Sequence, residues 1–302
     1  MKSLLLLLLL LPMTGMGQKP SPAELARWKK YAQHVTIIRD EYGVPHIYGK
    51  TDADAVFGLL YAQCEDDFQR VEMNYLEKLG RVSEVKGEAS LYDDLLNQIL
   101  IDTLATKKDY ANSPAWLKLL LNAFADGVNY YLYTHPNTRP AVLKRFEPWF
   151  PLMWTDGSIG AISTADINMN EFRNFFSGKN ELAAQTNWLS DTLQTGSNGF
   201  AFAPSVTAAK NAILYINPHT SIYFRGEVHM VSEQGLNVYG AVTWGQFFVY
   251  QGFNERCGWM HTTSYNDAAD SYIEKLQQTN GKWFYEYEGK QMPASIKNYT
   301  IW

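Results

Sequence analysis

An α+β fold, helices first and strands after, is what this sequence predicts, and three observations carry it. Apolar residues recur at helical spacing in the first part of the chain. From Phe200 onward the pattern changes to short alternating strands separated by Gly and Asn. Between the two lies the polar stretch Gln185–Gln194, which would expose a processing boundary. In order, residues 18–34 read as a short helix, and residues 35–48 as strands broken by Gly43 and Pro45. Asp52 to about Leu79 is helical. Ser113 caps a further helix, with Pro114 at its first position and Trp116 to Tyr133 as its body. The later strands read as Gly199–Ala203, Ala212–Ile216, Leu236–Val242, Phe247–Gln251 and Ala269–Glu274.

With 302 residues, 46% of them hydrophobic and 14% aromatic, the chain can bury a sizeable core in one or two domains. Its net charge of −5 and lack of any basic run argue against a nucleic-acid surface. Met1-Lys2-Ser3, eight leucines from Leu4 to Leu11, Pro12 and the small residues ending at Gly17 read as a secretory signal peptide spanning residues 1–17. That apolar run is too short to span a bilayer. The expected compartment is the bacterial periplasm or the exterior, with no membrane attachment after removal of the leader. Cys64 and Cys257, far apart in sequence, read as free thiols packed as small hydrophobes. No HExxH or CxxC motif supports a zinc protease or a thiol redox enzyme.

The chemistry concentrates at Gly196-Ser197-Asn198, just before the alternating run Gly199-Phe200-Ala201-Phe202-Ala203. A Gly-Ser-Asn triplet alone marks a turn. It also suits self-cleavage, since Gly196 has no Cβ and tolerates the bent backbone that an N-to-O acyl shift requires. Cleavage before Ser197 would give that serine a free α-amine of reference pKa about 7.7–8.0, able to serve as the base for its own hydroxyl.

Downstream come Thr207, the strand Ala212–Ile216 and Asn217-Pro218-His219. The run GSNGFAFAPSVTAAKNAILYINPHT resembles the penicillin acylase family of N-terminal nucleophile hydrolases. Other blocks are similar to the family in the same order: Val35–Asp40 with Tyr42–Ile47, Asp54–Gly58, Ala62–Asp66, Gly80–Glu84, Asp126–Asn129 and Glu147–Trp149. After the serine come Gly240, Gly252–Asn254, Gly258–Trp259, His261–Thr263 and Asp267 to Asp270.

The resemblance implies a four-layer αββα fold, incomplete in this chain, and a precursor cut into an α/β heterodimer. Residues 18–184 would be the helical α-chain-like region, 185–196 the processing segment and 197–302 the start of the β-chain. It implies a nucleophilic Ser197, a His219 that orients the serine or its amine, and a backbone N–H of Thr263 directed at the oxyanion. Calcium at Asp267 and Asp270, with Glu171 as a third ligand, is also implied, and no organic cofactor. The aromatics Phe172, Phe175, Phe176, Trp244 and Tyr265 would line an acyl pocket, although such clusters also make plain core. Glu65-Asp66-Asp67 reads as a solvated helix face, with a salt-bridge role near the core implied by the resemblance. Family members continue past Trp302, and their second oxyanion donor, an asparagine, lies in that later part, so the chain is expected to be the N-terminal part of a longer precursor. The expected activity is hydrolysis of a small-molecule acyl amide: an acyl-homoserine lactone, a lipopeptide or a β-lactam side chain. The alternative is an inactive member kept as a binding or assembly protein.

Overall fold

The computed structural model describes residues 19–154, 169–178, 197–219, 223, 225–262 and 274–301. Seven α-helices are described: α1 (Pro22–His34), α2 (Asp52–Lys78), α3 (Ser83–Lys86), α4 (Leu91–Leu100), α5 (Thr103–Asn112), α6 (Ala115–Thr134) and α7 (Met169–Phe176). The strands are β1 (Val35–Arg39), β2 (Pro45–Gly49), β3 (Ser197–Phe202), β4 (Ile213–Pro218), β5 (Arg225–Ser232), β6 (Asn237–Thr243), β7 (Gln251–Phe253), β8 (Gly258–Trp259), β9 (Gln277–Thr279), β10 (Lys282–Tyr287) and β11 (Lys290–Pro293). The α+β class and the change from helices to strands are as the sequence predicts. No helix among the described residues is long and apolar enough to cross a membrane.

The largest sheet has the order β1-β2-β5-β6-β7-β8, antiparallel throughout except for the parallel β2–β5 pair. Its alternation decides which face is buried: Ile47, Val228 and Met230 join the core with α2, while the intervening residues face away. Behind it α2 packs on α6, so closely that a Cβ on Gly127 would lie 2.6 Å from the Phe57 carbonyl oxygen. Tyr75, Phe124 and Phe146 fill the space between.

Buried carboxylates fasten the loops to these helices. Glu72 accepts the backbone N–H groups of Ala141, Val142 and Leu143 at 2.7–2.9 Å. Asp94 accepts those of Val82 and Ser83 at 2.8 and 2.6 Å, and Asp126 takes Arg27 and the Trp28 indole. Each would be costly to bury unpaired, and each is satisfied. Thr51 and Asp54 form the capping box that starts α2. Asp67 interrupts the helix at φ −157° and ψ 75°, then accepts the Arg70 N–H at 2.9 Å and so caps its second half. In the acidic triplet, Glu65 and Asp66 pair with Arg39 at 3.2 and 2.9 Å, which ties α2 to β1. Burial pushes the Asp66 carboxyl up, and Arg39 opposes the shift.

Three readings need correction. Ser113 does not cap α6: its hydroxyl donates back to the Asp109 carbonyl at the end of α5, and Pro114 itself is the N-cap. Phe247–Tyr250 is bent, irregular chain rather than strand, because the turn at Trp244-Gly245, with Gly245 at φ +91°, reverses the chain and β7 starts only at Gln251. Cys64 is a buried free thiol as expected, but Cys257, also free, is exposed in the β7–β8 turn. The strand read at Ala269–Glu274, the leader and the stretch 185–196 lie outside the described residues, apart from Glu274, which is not in a strand.

Candidate active site

Ser197 is the first residue of β3, which pairs antiparallel with β4 in a separate two-stranded sheet. The register sets Ser197 opposite Pro218 and Asn198 opposite Asn217, so His219 falls one residue beyond the serine's partner. The alternation of Phe200 and Phe202 with small residues makes β3 a strand, yet both rings are exposed, at 55% and 44%.

His219 is held by the two asparagines. Its Nε2 is 3.0 Å from Asn217 Oδ1 and 3.2 Å from Asn198 Nδ2, while Asn198 Nδ2 also reaches Asn217 Oδ1 at 3.4 Å. An Nε2–H tautomer satisfies this triangle, with both N–H groups donating to Asn217 Oδ1. The ring therefore braces the Ser-Asn backbone at the strand end, and no described bond joins it to the serine hydroxyl. The link from His219 to Asn198, the residue next to Ser197, therefore runs through Asn217 Oδ1.

On the other side, Thr262 Oγ1 donates to the Ser197 carbonyl at 2.8 Å. A Cβ on Gly199 would lie 1.7 Å from Met260 Sδ, so glycine there lets β3 lie against the Met260 side chain. His261, between Met260 and Thr262, stacks on Tyr250 with centroids 4.5 Å apart, and its carbonyl accepts Gln251 Nε2 at 2.9 Å. Gln251 Oε1 in turn accepts Arg225 Nη1 at 2.6 Å, and the Arg225 guanidinium sits 4.6 Å over Tyr250. Burial lowers the Arg225 pKa from its usual value. A polar chain thus runs from β5 through β7 to the serine. No sequence signal marks Arg225 or Gln251, since contacts across tens of residues leave no local pattern. Thr262 was visible only as part of the His261–Thr263 block.

The other expected site residues divide. Phe172, Phe175 and Phe176 cluster on α7, whose contacts run to α4 and include Arg173 at 3.9 Å from Asp93. Trp244 stands apart from them at the end of β6: its indole donates to the Tyr223 carbonyl at 3.0 Å and its own carbonyl accepts Asn74. Glu171 is exposed on α7. Gly196, Thr263, Tyr265, Asp267 and Asp270 lie outside the described residues. Among the described residues no group of three or more His, Cys, Asp or Glu side chains is arranged to hold a metal ion.

Comparison with known proteins bears on the same segments. The family model described as penicillin amidase matches residues 34–302. The chain belongs to the penicillin amidase family. The acyl-homoserine lactone acylase QuiP of Pseudomonas fluorescens is 23% identical over 320 residues, covering 90% of this chain and 39% of that protein. The acyl-homoserine lactone acylase PvdQ of Pseudomonas putida is 25% identical over 324 residues, covering 95% and 39%. Penicillin acylase 2 proenzyme of a Pseudomonas species is 24% identical over 300 residues, covering 81% and 38%. The chain therefore spans about two fifths of the length of these curated relatives. A thermostable penicillin G acylase from Alcaligenes faecalis aligns with a TM-score of 0.36 and 18% identity over 50% of this chain and 95% of that one, too slight a likeness to argue from.

Proposed function

We propose that this member of an acylase family is a secreted, self-processing amidohydrolase whose nucleophile is Ser197. The register carrying Ser197 beside Asn198, Asn217 and His219, with Thr262 on the serine carbonyl, is the observation that most supports the reading. In the uncut chain the Ser197 nitrogen is an amide. Attack of its hydroxyl on the Gly196 carbonyl, followed by hydrolysis of the resulting ester, frees the α-amine. That amine takes the hydroxyl proton as Ser197 attacks an acyl amide and returns it to the leaving amine, and water then releases the acyl group. His219 keeps the asparagine pair, and through it the strand end, in place. The Thr263 N–H is assigned to the oxyanion, where loss of one donor costs roughly 100- to 1000-fold in turnover.

The substrate class is a small acyl amide. The names of the relatives favour an acyl-homoserine lactone over a β-lactam. The leader-like residues 1–17 support a mature protein in the periplasm or the exterior, as an α/β heterodimer from one precursor. The test is hydrolysis of acyl-homoserine lactones and of penicillin G by the secreted protein, beside Ser197→Ala. The reading expects activity in the parent and none above background in the variant. Binding of either ligand without turnover would instead support the inactive binding protein.

A further inference from the structure

The outer face of the six-stranded sheet holds a pair of histidines, away from the β3–β4 hairpin. The parallel register of β2 and β5 sets His46 directly beside His229, and both project on the face opposite Ile47 and Met230. Their Nδ1 atoms approach to 3.0 Å, with the rings nearly perpendicular at 87°. The far nitrogen of each ring meets an oxygen: His46 Nε2 lies 3.4 Å from Asp40 Oδ2, and His229 Nε2 lies 2.9 Å from Asn237 Oδ1. A carboxylate and an amide oxygen only accept, so each Nε2 carries a proton, and the gap between the two Nδ1 atoms is left for one cation: a proton on His46, balanced by Asp40, or a metal ion. Asp40 is itself fixed by the N–H groups of Tyr42 and Val44 on its other oxygen, at 2.9 Å each.

Two lone pairs facing one another at this distance repel unless a cation lies between them. Rings whose distal N–H is held by an oxygen acceptor are also how metal-binding histidines are oriented. Two imidazole nitrogens on a tetrahedral ion, each about 2.0–2.1 Å from it, are about 3.3 Å apart, so the observed spacing has to open by only about 0.3 Å. Carboxylates stand nearby on both sides. Glu227 lies two residues before His229 on the same face and accepts the Tyr239 hydroxyl at 2.6 Å, and Asp40 backs His46. The His46 side chain is 25% exposed, which leaves room for water ligands.

We propose that His46 and His229 bind one divalent transition-metal ion through their Nδ1 atoms, water completing its coordination. Two imidazoles select such an ion over calcium or magnesium, which take oxygen ligands, and the order of affinity is Cu2+ above Ni2+, with Zn2+ also below Cu2+. The site owes nothing to the Ser197 chemistry.

The test is titration of the chelator-stripped protein with Zn2+, Ni2+ and Cu2+ by calorimetry, with copper spectra reporting nitrogen ligation. Binding of one equivalent is expected, lost in His46→Gln and in His229→Gln and kept in His135→Gln, with circular dichroism confirming that each variant is folded. Asn237→Ala should weaken binding roughly 10- to 100-fold by freeing the His229 ring. Long-range nitrogen NMR supplies an independent reading: both Nδ1 signals should move with one equivalent of Zn2+. No binding, binding that survives both glutamine variants, or an Nδ1–H on either ring that is unaffected by Zn2+ would overturn the proposal, the last showing that a proton already fills the gap.

Discussion

The helical frame around α2 and the β3–β4 hairpin that carries Ser197 are held in opposite ways. In the frame, buried carboxylates each serve several donors, as Glu72 serves Ala141, Val142 and Leu143, and the rings of Tyr75, Phe124 and Phe146 are fully covered. In the hairpin Phe200, Phe202, Ile213 and Tyr215 are all at least 44% exposed, and the described ties to the larger sheet lie along one side, from Thr262 at Ser197 through Met260 at Gly199 to Gly258 at Leu214. The frame is thus covered on every side, whereas the hairpin is held along one side and leaves its aromatic residues accessible. The proposed reaction of Ser197 with its own peptide bond would suit the second kind of support.

That contrast is broken most severely at Glu72. Glu72→Ala leaves three amides in the core without an acceptor and should cost about 4 kcal/mol or more in stability, read from urea midpoints. A loss under about 1 kcal/mol would show that water replaces the carboxylate and that the frame is looser than described. Next is Gly127→Leu, whose Cβ meets the Phe57 carbonyl at 2.6 Å and so has to part α2 from α6. It should cost about 3 kcal/mol, and thermal melting will show whether the helices can instead slide apart at little cost.

A smaller effect is expected at Glu24, where Arg145 and the Ser21 cap hold the carboxyl down to about 2 from an ordinary 4.5. A depressed folded-state value favours the folded state above the unfolded one, so this stability is present above pH 4.5 and lost as pH falls toward 2. Partial exposure screens the pair, which leaves about 1 kcal/mol. Melting temperatures from pH 5 to pH 2 should fall less steeply in Glu24→Gln than in the parent; parallel curves would mean that the pair contributes nothing. The smallest effect belongs to the hairpin, where Phe200→Ala should change stability by no more than about 0.5 kcal/mol. A loss of about 2 kcal/mol would show that the ring is covered after all.

These two regions also differed in how far the sequence disclosed them. Helical spacing from Asp52, the Thr51–Asp54 cap and the breaks at Gly43 and Pro45 are local signals, and α2, β1 and β2 follow them within a residue or two. Ser113 misled because a serine between two helices can serve either one, and its hydroxyl turned back to Asp109. Phe247–Tyr250 misled because its aromatics suit a strand while Gly245 dictates a turn. At the site, Ser197 and Asn217-Pro218-His219 could be read from their order. The link of His219 to Asn198 through Asn217 and the chain from Arg225 through Gln251 to His261 arise only once β3, β4, β5 and β7 are placed in space.

The central claim is that the fold prepares Ser197 to cut the bond before it, and intact mass together with N-terminal sequencing of the purified secreted protein tests this most directly. The account predicts two chains, one beginning at Ser197, and a single uncut chain in Ser197→Ala. An uncut parent, or a Ser197→Ala variant cleaved at the same bond, would contradict it.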